Sequence, residues 1–230
     1  MRYISLLKKI SLSQVILLLG LSSGLVSFGQ NSEIGNWLFY AGNQKFQTRY
    51  NFWNEIQYRN YNLAGDLQQL LLRGGIGYDL TDNNNNVLLG YGFILSENYT
   101  SADEKVSSKE HRVYGQFLTK QRSGICALTH RYRFEQRFIN DDVRYRFRYF
   151  LALNIPLNKK ELVARTIYFS AYNEVFLNNE VQFFDRNRLY GGIGYFLNDQ
   201  VKLELGFMNQ FVNGLGRNQF QITLFNNLPF

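Results

Sequence analysis

The sequence predicts an all-β fold, a transmembrane antiparallel up-and-down β-barrel of ten to twelve strands with ten expected, on three observations. Long runs alternate charged and apolar residues with period two, arginines stack on one phase of those runs, and a secretory signal precedes them. The run Ala127–Leu157 shows the first two together. Arg131, Arg133, Glu135 and Arg137 fall on one face, and Leu128, Tyr132, Phe134 and Phe138 on the other. After the turn residues Asn140, Asp141 and Asp142, Arg144, Arg146 and Arg148 alternate with Val143, Tyr145, Phe147, Tyr149, Leu151 and Leu153.

Magnitude decides which phase faces out. An arginine turned to lipid near the bilayer midplane costs about 2–4 kcal/mol, so Arg144, Arg146 and Arg148 must all point into a polar interior if the strands span a membrane. A soluble sandwich or lipocalin-like barrel with the two phases exchanged is the competing reading. Runs of mostly ten to fourteen residues argue against it, because soluble strands are commonly five or six long.

Residues 1–29 read as a signal peptide. Arg2, Lys8 and Lys9 precede the apolar core ISLSQVILLLGL, and Ser27 and Gly29 place cleavage before Gln30. The barrel is then expected over residues 30–230. Loss of Arg2, Lys8 and Lys9 lowers the formal charge from +7 toward +4, too little to imply nucleic acid. Phe, Tyr and Trp make up 17 % of the chain and only two prolines occur, which favours uninterrupted strands. The lone Cys126 excludes an internal disulfide and reads as an inert strand residue; no cysteine–histidine spacing suits zinc.

Along the chain, Trp37–Gly42 is a short first candidate strand and Thr48–Asn60 a clearer one, with Arg49, Asn51, Glu55, Gln57 and Arg59 inward. Leu67–Leu80 places Gln69, Arg73 and Asp79 inward, and Val87–Ser96 turns Val87, Leu89, Tyr91, Phe93 and Leu95 outward. A polar connection is expected over Glu97–Lys109, then a strand His111–Lys120 with Arg112, Tyr114 and Gln116 inward. Beyond the central hairpin come Glu161–Phe176, a connection Leu177–Phe183, then Phe184–Leu197, Val201–Phe211 and Asn218–Phe225. Eleven candidates result. Because single-chain bacterial barrels normally have even counts, ten are expected, with Thr48–Asn60 the first upward strand and the short turns and Phe230 at the periplasmic end. Connections are expected to alternate short and long.

GGIGYDL at Gly74–Leu80 recurs as GGIGYFL at Gly191–Leu197. Duplication and a shared packing need explain the echo equally well. A phosphate loop does not, because the motif lies inside a strand with no helix after it. Asp82–Asn86 and Asp141–Asp142 read as turns rather than a calcium loop. No cofactor or metal is implied.

The Trp37 start, RNYN after a strand, the GIGY hairpin, Glu110-x-Arg112, the RYRFEQR and RYRFRYF pair, YNEVFLN and FDRNR resemble the domain-of-unknown-function family numbered 2490 over essentially the whole mature chain. The resemblance implies a Gram-negative outer-membrane barrel and carries no activity or catalytic residue.

The candidate site is therefore the inward charge network: Arg49, Glu55, Arg59, Arg73, Glu110, Arg112, Arg131, Arg133, Glu135, Arg137, Arg144, Arg146, Arg148, Glu174, Arg186, Arg188 and Glu204. Two readings compete. An arginine excess draws small anionic solutes into a pore, or the arginines and carboxylates simply fill a small barrel. The filled interior is preferred. A lipid-modifying hydrolase is the rival from another class, but His111 and His130, both on the outward phase, have no serine two residues away, and no catalytic residue is assigned. A structural or assembly barrel acting through the Glu97–Lys109 and Leu177–Phe183 loops is the third. Outer-membrane lipid and the barrel-assembly machinery are the expected partners.

Overall fold

The computed structural model describes residues 34–82, 84–101 and 104–229; the expected signal segment, its cleavage point and Phe230 lie outside the described residues. Eleven strands form one closed barrel: β1 Gly35–Lys45, β2 Tyr50–Asn60, β3 Leu67–Asp79, β4 Asn85–Tyr99, β5 Lys105–Ser123, β6 Cys126–Ile139, β7 Asp142–Pro156, β8 Ile167–Asn178, β9 Phe184–Phe196, β10 Val201–Val212 and β11 Leu215–Asn226. Neighbours in sequence pair antiparallel throughout. The seam is different: β1 and β11 run parallel, in register from Gly35 opposite Gln219 to Gly42 opposite Asn226.

That seam corrects the expected count of ten. Evenness follows only when every pair is antiparallel, closure included, because the first and last strands must then run in opposite directions. A parallel closure removes the requirement, so the Trp37–Gly42 segment takes its place as part of β1, and β2 is the second strand rather than the first. Gly35 and Asn226 consequently stand at opposite ends of the barrel.

The expected alternation of short and long connections is also corrected. Glu97 pairs with Ser107, Asn98 with Val106 and Tyr99 with Lys105, so most of the polar stretch Glu97–Lys109 belongs to the β4–β5 ladder. Its residues alternate no apolar groups, yet backbone pairing needs none once the hairpin below has set the register. Short connections occur at both ends, and the longest lies between Pro156 and Ile167. Three hairpins turn on residues with positive φ, Gly124 (60°), Asn140 (52°) and the pair Asn213 (50°) and Gly214 (81°), the last with both central residues positive as a type I′ turn requires.

The polarity of the barrel is inverted relative to a soluble domain. Outward side chains are largely apolar and exposed, as with Ile76, Leu89, Phe134, Ile193 and Phe207 on five different strands, while Arg133, Glu55 and Glu135 are buried inside. Among the described residues no helix is long and apolar enough to cross a membrane, which leaves spanning by strands open.

A side-chain tie joins the β2–β3 connection to the β4–β5 hairpin at the Gly35 end. Asp66, in the β2–β3 connection, accepts hydrogen bonds from Lys105 Nζ and from Tyr99 Oη (3.0 Å), and Lys105 Nζ also donates to the Leu67 carbonyl (2.9 Å). The hydrogen bond from Lys105 is the main cause holding the Asp66 carboxyl below its ordinary value. A lowered folded-state pKa contributes stability above the unfolded value, about 3.9 for Asp, and loses it as pH falls through the folded one. Amide protection over residues 60–67, taken relative to the intrinsic exchange rate at each pH, is therefore expected to fall on acidification below that value in the native chain and to be low already at neutral pH in Asp66→Asn; equal protection of the two at neutral pH would refute the tie.

Candidate functional site

The interior is built by simple alternation. On β6, Arg131, Arg133, Glu135 and Arg137 share a phase, and their register partners on β7 set Arg146 opposite Glu135 and Arg148 opposite Arg133. Two arginines facing each other across a ladder repel, and the carboxylates beside them relieve it. Glu135 takes Arg146 at 2.7 Å and Arg148 at 2.6 Å, and Glu174 from β8 takes Arg148 at 2.6 Å and Arg131 at 2.8 Å. Arg133 lies over the Tyr114 ring at 4.3 Å and donates to Gln116 Oε1 at 2.7 and 3.0 Å.

Around this centre the other charges fall into pairs. Arg73 meets Glu55 at 2.7 Å; Arg112 and Arg137 share Glu110 at 2.5 and 2.6 Å. Arg188 reaches Glu174 at 3.6 Å and donates to Gln210 at 2.8 Å. Glu204 stands apart, receiving Tyr168 (2.7 Å), Ser170 (3.1 Å) and Lys202 (3.1 Å). Arg59 is buried and its hydrogen bonds go to amides alone: it donates to Gln69 Oε1 at 2.8 Å and to Gln57 Oε1.

Two of the expected interior charges lie elsewhere. Arg49 sits in the β1–β2 connection, exposed, because β2 begins one residue later at Tyr50. Arg144 has the inward phase but lies at the start of β7, with its side chain 41 % exposed and paired to Asp142 (3.2 Å) and Glu180 (3.4 Å). Height along the strand, which alternation does not report, separates it from Arg146.

Asp185 was not expected inside. The register shift that pairs Phe176 with Arg186 and Leu177 with Phe184 skips Asp185, and the bulge turns its carboxylate to Arg146 (3.2 Å) and Arg186 (3.0 Å). Only a known pairing reveals such a residue.

Buried charged, polar and apolar side chains pack together inside the barrel. Every strand contributes buried inward groups there, among them Ala41, Glu55, Leu71, Ile94, Tyr114, Glu135, Arg148, Glu174, Tyr190, Met208 and Gln221. Among the described residues, two cavities lie toward the barrel's ends. Toward the Gly35 end a cavity of about 210 Å³ is lined by Arg59, Arg73, Arg112, Arg137, Arg146, Arg148, Arg186 and Arg188 with Glu110 as its one acidic wall residue. Toward the Asn226 end a second, of about 280 Å³, is walled mainly by amides, Asn43, Asn51, Asn85 and Asn86, with Lys45, Asp79, Lys120 and Arg131.

On the outer face, His111 Nδ1 lies 2.5 Å from Tyr91 Oη and His130 Nδ1 lies 2.9 Å from Tyr149 Oη. Each imidazole is thus engaged by a phenol rather than by a serine that it could activate. Among the described residues no group of three His, Cys, Asp or Glu is placed to hold a metal ion, and Cys126 is a buried free thiol packed with Leu128 and Leu153.

Comparison with curated proteins and with solved structures gives no match. A family model does match, across residues 34–221, from the residue before β1 into the middle of β11. The barrel and its charged interior are thus the matched region, and the chain belongs to the family described as protein of unknown function (DUF2490).

Proposed function

We propose that this chain is an outer-membrane β-barrel whose middle is closed, so that small anions are held at a cationic vestibule rather than passed freely through a pore. The observation that carries the reading is the inverted polarity. Leu89, Ile76, Phe134 and Phe207 are 53–68 % exposed on the outside, while Glu135 and Arg133 are 0 % and 1 % exposed within. Soluble monomers rarely expose contiguous apolar surface beyond a few hundred Å². A closed barrel leaves no strand edge unpaired, the condition that hydrocarbon imposes on any sheet crossing it. Outer-membrane lipid is accordingly the proposed surrounding, and the barrel-assembly machinery the partner during insertion.

A freely conducting anion pore fits less well, since the arginines that would attract anions are cross-linked by Glu55, Glu135 and Glu174 at mid-height. A hydrolase fits less well because neither histidine meets a serine. The test has two parts. Fractionation is expected to recover the protein with the outer membrane and only with detergent; a freely soluble protein overturns the location. In planar bilayers the purified protein is expected to show no long-lived ohmic channels, and steady anion-selective conductance would overturn the closed middle.

A further inference from the structure

We propose that the arginine cavity at the Gly35 end is a binding site for a compact phosphate-bearing group carrying at least two negative charges. This deepens the reading above, from which it takes the closed, cationic vestibule, and names the ligand class.

The argument begins with charge. Arg73, Arg112, Arg131, Arg133, Arg137, Arg146, Arg148, Arg186 and Arg188 share only Glu55, Glu110, Glu135, Glu174 and Asp185 as ion-pair partners. Arg59 has none of them, and its Nε is buried without a hydrogen-bond partner. The surplus is concentrated, because most of these guanidinium groups line one cavity. Arg59 and Arg188 even approach the same indole, with Cζ 3.8 and 5.0 Å from the Trp37 ring centroid. Stacking on an aromatic ring softens the cost of two such neighbours but does not cancel their repulsion.

An anion in the cavity does cancel it, and the chemistry of the walls says which kind. Guanidinium forks match the oxygens of phosphate and carboxylate in paired hydrogen bonds. Several uncompensated positive charges around one space favour a group that brings more than one negative charge in a small volume, which phosphate esters do and single carboxylates do not. By volume about 210 Å³ corresponds to roughly seven waters at ~30 Å³ each, enough for a phosphate or diphosphate with a partial hydration shell. Apolar wall residues are few, Leu71, Ile139 and Phe176, so an acyl chain is not what the space accepts. The cavity opens toward the end that carries the β2–β3, β4–β5, β6–β7 and β8–β9 connections, since Ile139 ends β6 and Arg186 lies near the start of β9.

The test uses the full barrel in nonionic detergent and inorganic pyrophosphate as the probe, followed by calorimetry. Saturable binding to a single site is expected, at least tenfold tighter than acetate. Arg59→Gln removes a charge that has no carboxylate to lose, and Arg186→Gln changes a residue near the open end; each is expected to weaken pyrophosphate at least tenfold. Lys159→Gln, on the exposed β7–β8 connection, is expected to leave it unchanged. Unfolding midpoints of the variants verify that each is folded. Absence of saturable binding, equal affinity for acetate, or wild-type affinity in both arginine variants overturns the site. Reconstitution in phosphatidylcholine vesicles with and without phosphatidic acid then separates the sources. Competition by phosphatidic acid supports the site as one for a lipid headgroup, and no competition supports it as one for a soluble phosphate ester. Because binding in detergent depends on neither location nor conductance, a failure here leaves those two measurements to stand or fall on their own.

Discussion

Glu135→Gln is expected to lower the stability of the barrel by about 3–5 kcal/mol, the range for removing one partner of a buried ionic cluster. Glu135 is fully buried and faces three guanidinium groups, Arg146 at 2.7 Å, Arg148 at 2.6 Å and Arg133 at 3.7 Å. Its neutralisation does not free them. Arg148 keeps Glu174 and Arg146 keeps Asp185, but Arg133 is left with Gln116 and the Tyr114 ring as its neutral company. The cost is therefore less the loss of an attraction than the exposure of three like charges to one another where water cannot screen them.

The control lies within the same lumen. Glu204 is also buried, but it is held by the hydroxyls of Tyr168 and Ser170 and by one lysine, groups that accept an amide in its place with little change. Glu204→Gln is expected to cost about 1–2 kcal/mol. The measurement is the urea unfolding midpoint of protein refolded into lipid vesicles. If both substitutions cost the same, mid-barrel cohesion is not ionic and the account of the closed middle is wrong. Restoring balance should also restore stability: adding Arg133→Met to Glu135→Gln removes one of the stranded charges and is expected to recover part of the loss, a positive coupling that a double-mutant cycle reads directly.

The alternation that places Arg133 and Glu135 on one face is a local property of a strand, which is why a single sequence carries it. Pairing is not local. Nothing in the order of residues says that Glu174 from β8 bridges Arg131 and Arg148, or that β1 closes on β11 in parallel, because both depend on strands far apart in the chain. Strand ends are equally hidden where side chains stop alternating, so the Glu97–Lys109 segment reads as loop although its backbone continues the ladder. Arg144 and Arg146 show the same limit on a smaller scale, with one phase but different depths. Asp185 shows it again, since a bulge rather than its sequence position turns it inward.

The repeated GGIGY motif offers a last test, in which neighbouring residues are expected to behave oppositely. Gly192→Ala should destabilise the barrel by about 1–3 kcal/mol, toward the upper end, and Gly191→Ala by no more than about 0.5 kcal/mol. Both glycines lie in regular β9 backbone, so conformational freedom does not distinguish them. Space does. Nothing lies within 4 Å of a Cβ at Gly191, whereas a Cβ at Gly192 would overlap the Leu205 carbonyl oxygen and the Tyr190 hydroxyl. The tyrosine can swing aside, but the carbonyl belongs to the β9–β10 ladder and moves only with the strand. Gly206, the register partner of Gly192, is confined in the same way by the Gly191 carbonyl and the Gly192 Cα at 2.7 Å. The first copy repeats the arrangement: Gly75 pairs with Gly90, and a Cβ on Gly75 would lie 2.9 Å from the Leu89 carbonyl and 3.0 Å from the Gly90 Cα. Tyrosine rings cover the spaces so made, Tyr114 over Gly90 and Tyr168 over Gly194. A shared packing need therefore accounts for both copies without requiring a duplication, and comparable losses from Gly75→Ala and Gly192→Ala, with a much smaller one from Gly191→Ala, are what unfolding midpoints should return. Equal losses at Gly191 and Gly192 would mean that the motif acts through strand flexibility instead.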